Sequence, residues 1–167
     1  MRAWTPEVTL DIDIEHWPGP TDWADLAERA LGAAQAVAPE LSNPRLTASV
    51  LFTGDDYVHA LNREWREKDR PTNVLSFPML ERADLLALPA NGPPEMLGDI
   101  ALAWQTCRRE ADEKGIPVED HAMHLIIHGL LHLAGHDHID PAQADAMEAL
   151  ETKALASMGI ADPYGND

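Results

Sequence analysis

The sequence predicts an α/β fold of the α+β type, a single mixed sheet of about four strands with helices packed on it. Two observations carry this. Segments with an apolar period of two alternate along the chain with segments of period 3.6, and two of the extended segments are joined by a loop where the others are joined by helices, which makes the sheet mixed. At 167 residues the chain is the length of one domain, residues 1–167, with enough material to bury a core.

The elements follow in order. Val8 to Glu15 places Val8, Leu10, Ile12 and Ile14 on one face, the pattern of a half-buried strand that Pro18, Gly19 and Pro20 end. From Asp22 the period becomes helical, with Trp23, Leu26, Ala27, Ala30, Leu31 and Ala34 in one stripe, and Pro39 and Pro44 close the helix and its loop. Arg45 to Thr53 reads as the second strand. Gly54 and Asp55 turn the chain and offer a cap to a helix on which Val58, Leu61 and Trp65 share a face. Asn73 to Met79 is a short strand whose Pro78 suits an edge or a strand end. Leu80 to Met96, with its prolines, Asn91 and Gly92, reads as an exposed loop.

Leu97 to Ala103 is the fourth strand, and it passes into a helix stopped by Gly115 and Pro117. A histidine-bearing helix runs from about Glu119 to Ala134. Apolar residues surround most of its circumference (Leu125, Ile126, Leu130, Leu131, Leu133), so it is a buried central element. The last helix has Asp140 as cap, Pro141 at its first position and Gln143 at the capping-box position. Met147, Leu150, Ala154, Leu155 and Met158 form its stripe before Gly159.

The chemistry concentrates in HAMHLIIHGLLHLAGHDH, residues 121–138. His128 and His132 lie four apart, so on a helix both rings leave one face a turn apart and can grip one ion. Gly135 lets the chain leave the helix through a left-handed conformation, and His138 lies three residues beyond that turn. The spacing H-x3-H-x5-H is that of the metzincin signature, except that Gly129 stands where those proteases carry their glutamate base. Three imidazoles leave a fourth tetrahedral position open, the mark of a catalytic zinc site, and the single cysteine, Cys107, excludes a cysteine cage. The central helix is therefore expected to bind one zinc per chain through His128, His132 and His138. His124, one turn before His128, is given a supporting or core role, and His121 and His136 no ligand role.

A second constellation is LNREWREKDRPTNVLSFP, residues 61–78. Arg63, Arg66, Lys68 and Arg70 stand against Glu64, Glu67 and Asp69, so the stretch is about neutral inside a chain of formal charge −17. An acidic surface repels an anionic substrate, so any nucleic acid must be met by a local basic patch such as this one. A guanidinium beside a catalytic metal is what phosphodiester hydrolysis would use. Read alone, the stretch fits a solvated helix face of neighbouring ion pairs as well.

HGLLHLAGHDH, together with LNREWREKDRPTNVLSFP and LGDIALA, closely resembles the YbeY family of bacterial ribosomal RNA maturation factors, from about Leu61 to His138 and more loosely over the full chain. The resemblance implies a single-strand-specific, metal-dependent endoribonuclease. It would act in the cytoplasm on the 3′ end of 16S ribosomal RNA and in ribosome quality control, with the small ribosomal subunit or its proteins as partners and neither DNA nor membrane involved. Matched by position, His128, His132 and His138 correspond to the zinc ligands and Arg66 to the essential arginine. His136 departs, standing where the family commonly has tyrosine.

Zinc on three neutral imidazoles lowers the pKa of a bound water from about 15.7 towards about 7. Either that hydroxide attacks phosphorus, or the metal polarises a phosphoryl oxygen while a ribose 2′-hydroxyl attacks. Arg66 would hold the phosphate, and Asp99 could orient a ligand histidine or serve a turn. Two rival functions stay open: a metzincin-like metalloprotease, weakened by Gly129, and a non-catalytic ribosome-associated zinc protein. The first residues alternate too soon with acids for a signal peptide, no apolar run nears the roughly 20 residues of a membrane span, and one cysteine fits a reducing compartment, so the expected location is cytoplasmic.

Overall fold

A computed structural model describes residues 8–66, 68, 72–137 and 139–164. Its sheet is four-stranded, in the order β1-β2-β4-β3, built from β1 (Thr9–Ile14), β2 (Leu46–Thr53), β3 (Val74–Pro78) and β4 (Glu95–Ala103). β1, β2 and β4 run parallel, and β3 is antiparallel to β4 with Val74 opposite Leu102 and Pro78 opposite Gly98. The mixed sheet expected from the sequence is thus observed, and Pro78, which has no N–H to give a ladder, ends an edge strand.

Strand alternation sorts the two faces. Leu46, Ala48, Val50 and Phe52 of β2 and Leu97, Ile100 and Leu102 of β4 enter the main core, which is covered by α1 (Trp23–Val37), α5 (Val118–Leu133) and α6 (Pro141–Ser157). Leu75 of β3 and Ala101 and Ala103 of β4 point the other way, into a smaller cluster with Val58 of α2 (Asp55–Arg66). α4 (Trp104–Lys114) packs against both α2 and α5. All six residues of the predicted α1 stripe are buried, and Asp22 caps that helix by accepting the Asp25 N–H at 3.0 Å. Asp140 does the same for α6, accepting the Gln143 N–H at 2.8 Å.

Three expectations are corrected. The segment from Leu80 to Met96 contains a short helix, α3 (Arg82–Ala87), with Leu85 buried in the main core, and its last two residues already belong to β4. Its proline content hides a docked element. Trp65, on the Leu61 side of α2, is not buried with Val58: it is 68% exposed and lines an open groove with Leu61, Leu51 and Phe77. Asp55 opens α2, but its carboxylate serves a different helix, accepting the N–H of Thr106 at 3.0 Å and its hydroxyl at 2.8 Å in the first turn of α4.

α5 is the central helix. From His121 to Leu133 every residue is buried except His128 and His132. Gly135, with φ of +92°, ends it in a Schellman turn, its N–H reaching the His132 carbonyl and the His136 N–H that of Leu131, both at 3.0 Å. Arg82 of α3 closes over that turn: it donates to the Ala134 carbonyl at 2.8 Å, and a Cβ on Gly135 would lie 2.5 Å from the Arg82 Cβ. Glycine is therefore required here twice, for conformation and for space.

Candidate active site

His128 and His132, half-buried on α5, open into one cleft of about 440 Å³, between the helix, β3 and the end of α2. Its walls bring together His128, His132, Asp137, Ser76, Arg66 and Lys68, with Asn62 and Asn73 beside them. Of the residues expected at the site, the fold delivers Arg66 from α2 and both histidines from α5 to the same space. His138 and Arg70 lie outside the described residues.

Each histidine of the pair is held through Nδ1. Val74 and Ser76 share the β3 face turned to α5, and the Ser76 hydroxyl makes a short hydrogen bond with Nδ1 of His132. Nδ1 of His128 lies 3.3 Å from Oε1 of Glu151 on α6. Two imidazoles one turn apart, each anchored on an oxygen through one nitrogen, are a donor set that suits zinc bound through the other nitrogen. Among the described residues, no three His, Cys, Asp or Glu side chains gather as a metal site.

Glu151, like Ser76, is a site residue that sequence reasoning missed. It is 1% exposed, and its Oε1 also meets Nε2 of His124 at 2.7 Å and the Tyr164 hydroxyl at 2.8 Å. Burial alone would lift this carboxyl; the hydrogen bonds from His124, His128 and Tyr164 overcome that and hold it down at about 2. Tyr164 is 41% exposed, but partial burial of its hydroxyl against that carboxylate pushes it well above the usual phenol range. The available signal was position: Glu151 stands four after Met147 and four before Leu155, on the apolar stripe of α6.

Three further histidines of this stretch are also partnered. His124, 8% exposed, packs edge-on against Tyr164 in addition to bonding Glu151. His121 bonds Glu110 of α4 at 2.8 Å. His136 bonds Glu40 at 3.1 Å and lies 3.5 Å from Arg82, tying the turn after α5 to the segment after α1. Among the described residues Asp99 orients no histidine: it bonds the Ser49 hydroxyl and, with Ala101, lines a groove on the α2 side of the sheet, the face away from α5. Gly129 packs on Ile100, whose Cδ1 would lie 3.0 Å from an added Cβ. A side chain at 129 would therefore press on Ile100 of the sheet.

The family model for endoribonuclease YbeY matches residues 12–159. A protein of Erythrobacter litoralis named endoribonuclease YbeY is 65% identical over 158 residues, covering 94% of this chain and 98% of its own. Another of that name, from Novosphingobium aromaticivorans, is 58% identical over 161 residues, 95% of this chain and 96% of its own. A solution structure of a Thermotoga maritima protein matches with a TM-score of 0.56 at 22% identity, over 95% of this chain and 100% of that one, a likeness of fold. A family model spanning most of the chain, and relatives alike over nearly their whole length, together show that the chain belongs to the endoribonuclease YbeY family.

Proposed function

We propose that this chain is a single-domain, zinc-dependent endoribonuclease that cuts single-stranded RNA in the cytoplasm, in the maturation of the 3′ end of 16S ribosomal RNA and in ribosome quality control. The observation that carries the reading is the cleft itself: between His121 and Leu133 the two positions at which α5 turns out of the core are His128 and His132, and Arg66 and Lys68 face the same space. His128 and His132 would hold the metal through Nε2, with His138 as third ligand. When bound, zinc supplies Lewis acidity, polarising a phosphoryl oxygen or acidifying a water. Arg66 would bind the scissile phosphate through its planar fork and stabilise the charge that grows on its oxygens. Lys68 adds a second positive charge at the mouth. Ser76 and Glu151 keep the two rings from turning.

The family name of the relatives supports an RNA substrate, and a strongly acidic chain with a basic cleft supports a short contact with it. The small ribosomal subunit, or a protein on it, is the partner that would bring the correct RNA end to so small a patch. A metalloprotease is disfavoured at position 129: Gly129 stands where the protease base would and carries no acid, and an added Cβ would already crowd Ile100 at 3.0 Å. The deciding experiment incubates the zinc-loaded protein with single-stranded RNA and with casein, each with and without a chelator. RNA should be cut only without chelator and casein not at all. Cleaved casein would return the protease reading, and intact RNA under all conditions the non-catalytic one.

A further inference from the structure

Three donors meet on one oxygen of Glu151: Nε2 of His124 at 2.7 Å, the Tyr164 hydroxyl at 2.8 Å and Nδ1 of His128 at 3.3 Å. A carboxylate oxygen only accepts, so each of the three directs a hydrogen at it. For the neutral ring of His128 this selects one tautomer, with the proton on Nδ1 and the lone pair on Nε2. Glu151 does not ride on the same helix as the ring it meets. It stands on α6, almost wholly buried, and is itself gripped by His124 from α5 and by Tyr164 from the segment after α6, whose ring lies edge-on to His124 with centroids 5.4 Å apart. The carboxylate is thus fixed by groups that do not border the cleft, and only one of its three partners does.

We propose that Glu151 is a positioning residue of the zinc site, fixing the tautomer and ring rotation of His128 from α6 so that Nε2 is presented to the metal. The inference rests on the reading of His128 as a zinc ligand. A carboxylate behind a ligand imidazole also raises its basicity, and loss of such a partner typically weakens metal binding about 10- to 100-fold. A glutamate that served only to satisfy buried donors would affect folding and leave the metal affinity of the folded protein alone.

The test measures zinc affinity of the full chain by competition with a chromogenic chelator, for the wild type, His128→Ala and Glu151→Gln, with circular dichroism to confirm that each is folded. If the wild type takes up no zinc, or His128→Ala keeps it, the zinc reading has failed and not this inference. Given one zinc in the wild type and none in His128→Ala, Glu151→Gln is expected to bind roughly 10- to 100-fold more weakly. The second readout needs no variant at Glu151: long-range proton–nitrogen NMR of the zinc-free wild type, with His128 signals assigned by their loss in His128→Ala, should show the proton on Nδ1. Unchanged affinity in a folded Glu151→Gln, or a zinc-free His128 carrying its proton on Nε2, would overturn the proposal.

Discussion

Arg66 stands in the last turn of α2 and reaches the cleft that holds His128 and His132, although those residues are about sixty positions away in sequence. Because the arginine is exposed on its own helix, removing it should leave packing and metal undisturbed. Arg66→Ala is expected to fold and bind zinc as the wild type does while cutting RNA about 100- to 1000-fold more slowly, the usual cost of removing one charge that stabilises a transition state. Arg66→Lys should restore little, since an ammonium lacks the planar fork. Single-turnover cleavage under saturating enzyme is the measurement, and wild-type rates in the alanine variant would remove Arg66 from the mechanism. At this scale the sequence was legible wherever chemistry imposes a spacing. The i, i+4 histidines and the glycine turn follow from helix geometry alone. The burial of Glu151 could be read from the α6 stripe, but the partnerships of Glu151 and Ser76 with their histidines were not legible, because each meets its ring across an element boundary, from α6 and from β3, and no local period records such a meeting.

Among elements, the pairing of α4 with α5 carries a titratable contact remote from the cleft. His121 of α5 is 2% exposed and bonds Glu110 of α4, which also accepts from the Asn73 side chain at 2.9 Å. Burial holds His121 below the usual imidazole range, with the bond to Glu110 opposing it only in part; Lys114 and His124 also push it down. Burial would raise Glu110, but hydrogen bonds from His121 and Asn73 bring it below the usual carboxylate range. Both groups therefore bind protons more readily unfolded than folded, and the stability they contribute is present at high pH and lost on acidification. The loss from His121 begins as pH falls through about 6.5, that from Glu110 only below about 4.5. In urea unfolding between pH 8 and 5, the stability advantage of the wild type over His121→Asn should shrink as pH falls, by at most about 1.4 kcal/mol per pH unit. A constant difference across that range would show that His121 does not titrate abnormally. The same scale shows where periodicity misleads. The α1 stripe, the α6 cap and the edge character of β3 were all readable, because each is a local pattern with a single physical cause. Helix α3 was masked by flanking prolines, and Trp65 continues the apolar period of α2 but lines an open groove, where it stays exposed.

For the whole molecule, the question is how a chain of formal charge −17 can meet a polyanion at all. Affinity for RNA depends on the few phosphates neutralised at the interface, each releasing counterions, while charges beyond a Debye length of about 8 Å at physiological salt are largely screened. The fold places Arg66 and Lys68 together at the cleft and leaves Arg63 exposed in the same last turn of α2, so the basic stretch acts as one small patch. With two to four phosphates neutralised and about 0.7 ions released for each on a single strand, log affinity should fall with log salt at a slope of roughly −1.5 to −3. Binding that weak would not select one RNA end by itself, which is why the proposed function gives that selection to a ribosomal partner. A salt titration of single-stranded RNA binding, comparing the wild type with a variant carrying Lys68→Ala and Arg70→Ala, tests the patch. The variant should bind more weakly, with a slope shallower by about 0.7 for every phosphate that it no longer neutralises. Equal slopes in the two proteins, or tight binding that ignores salt, would mean that RNA is met elsewhere and that the basic stretch is a solvated helix end.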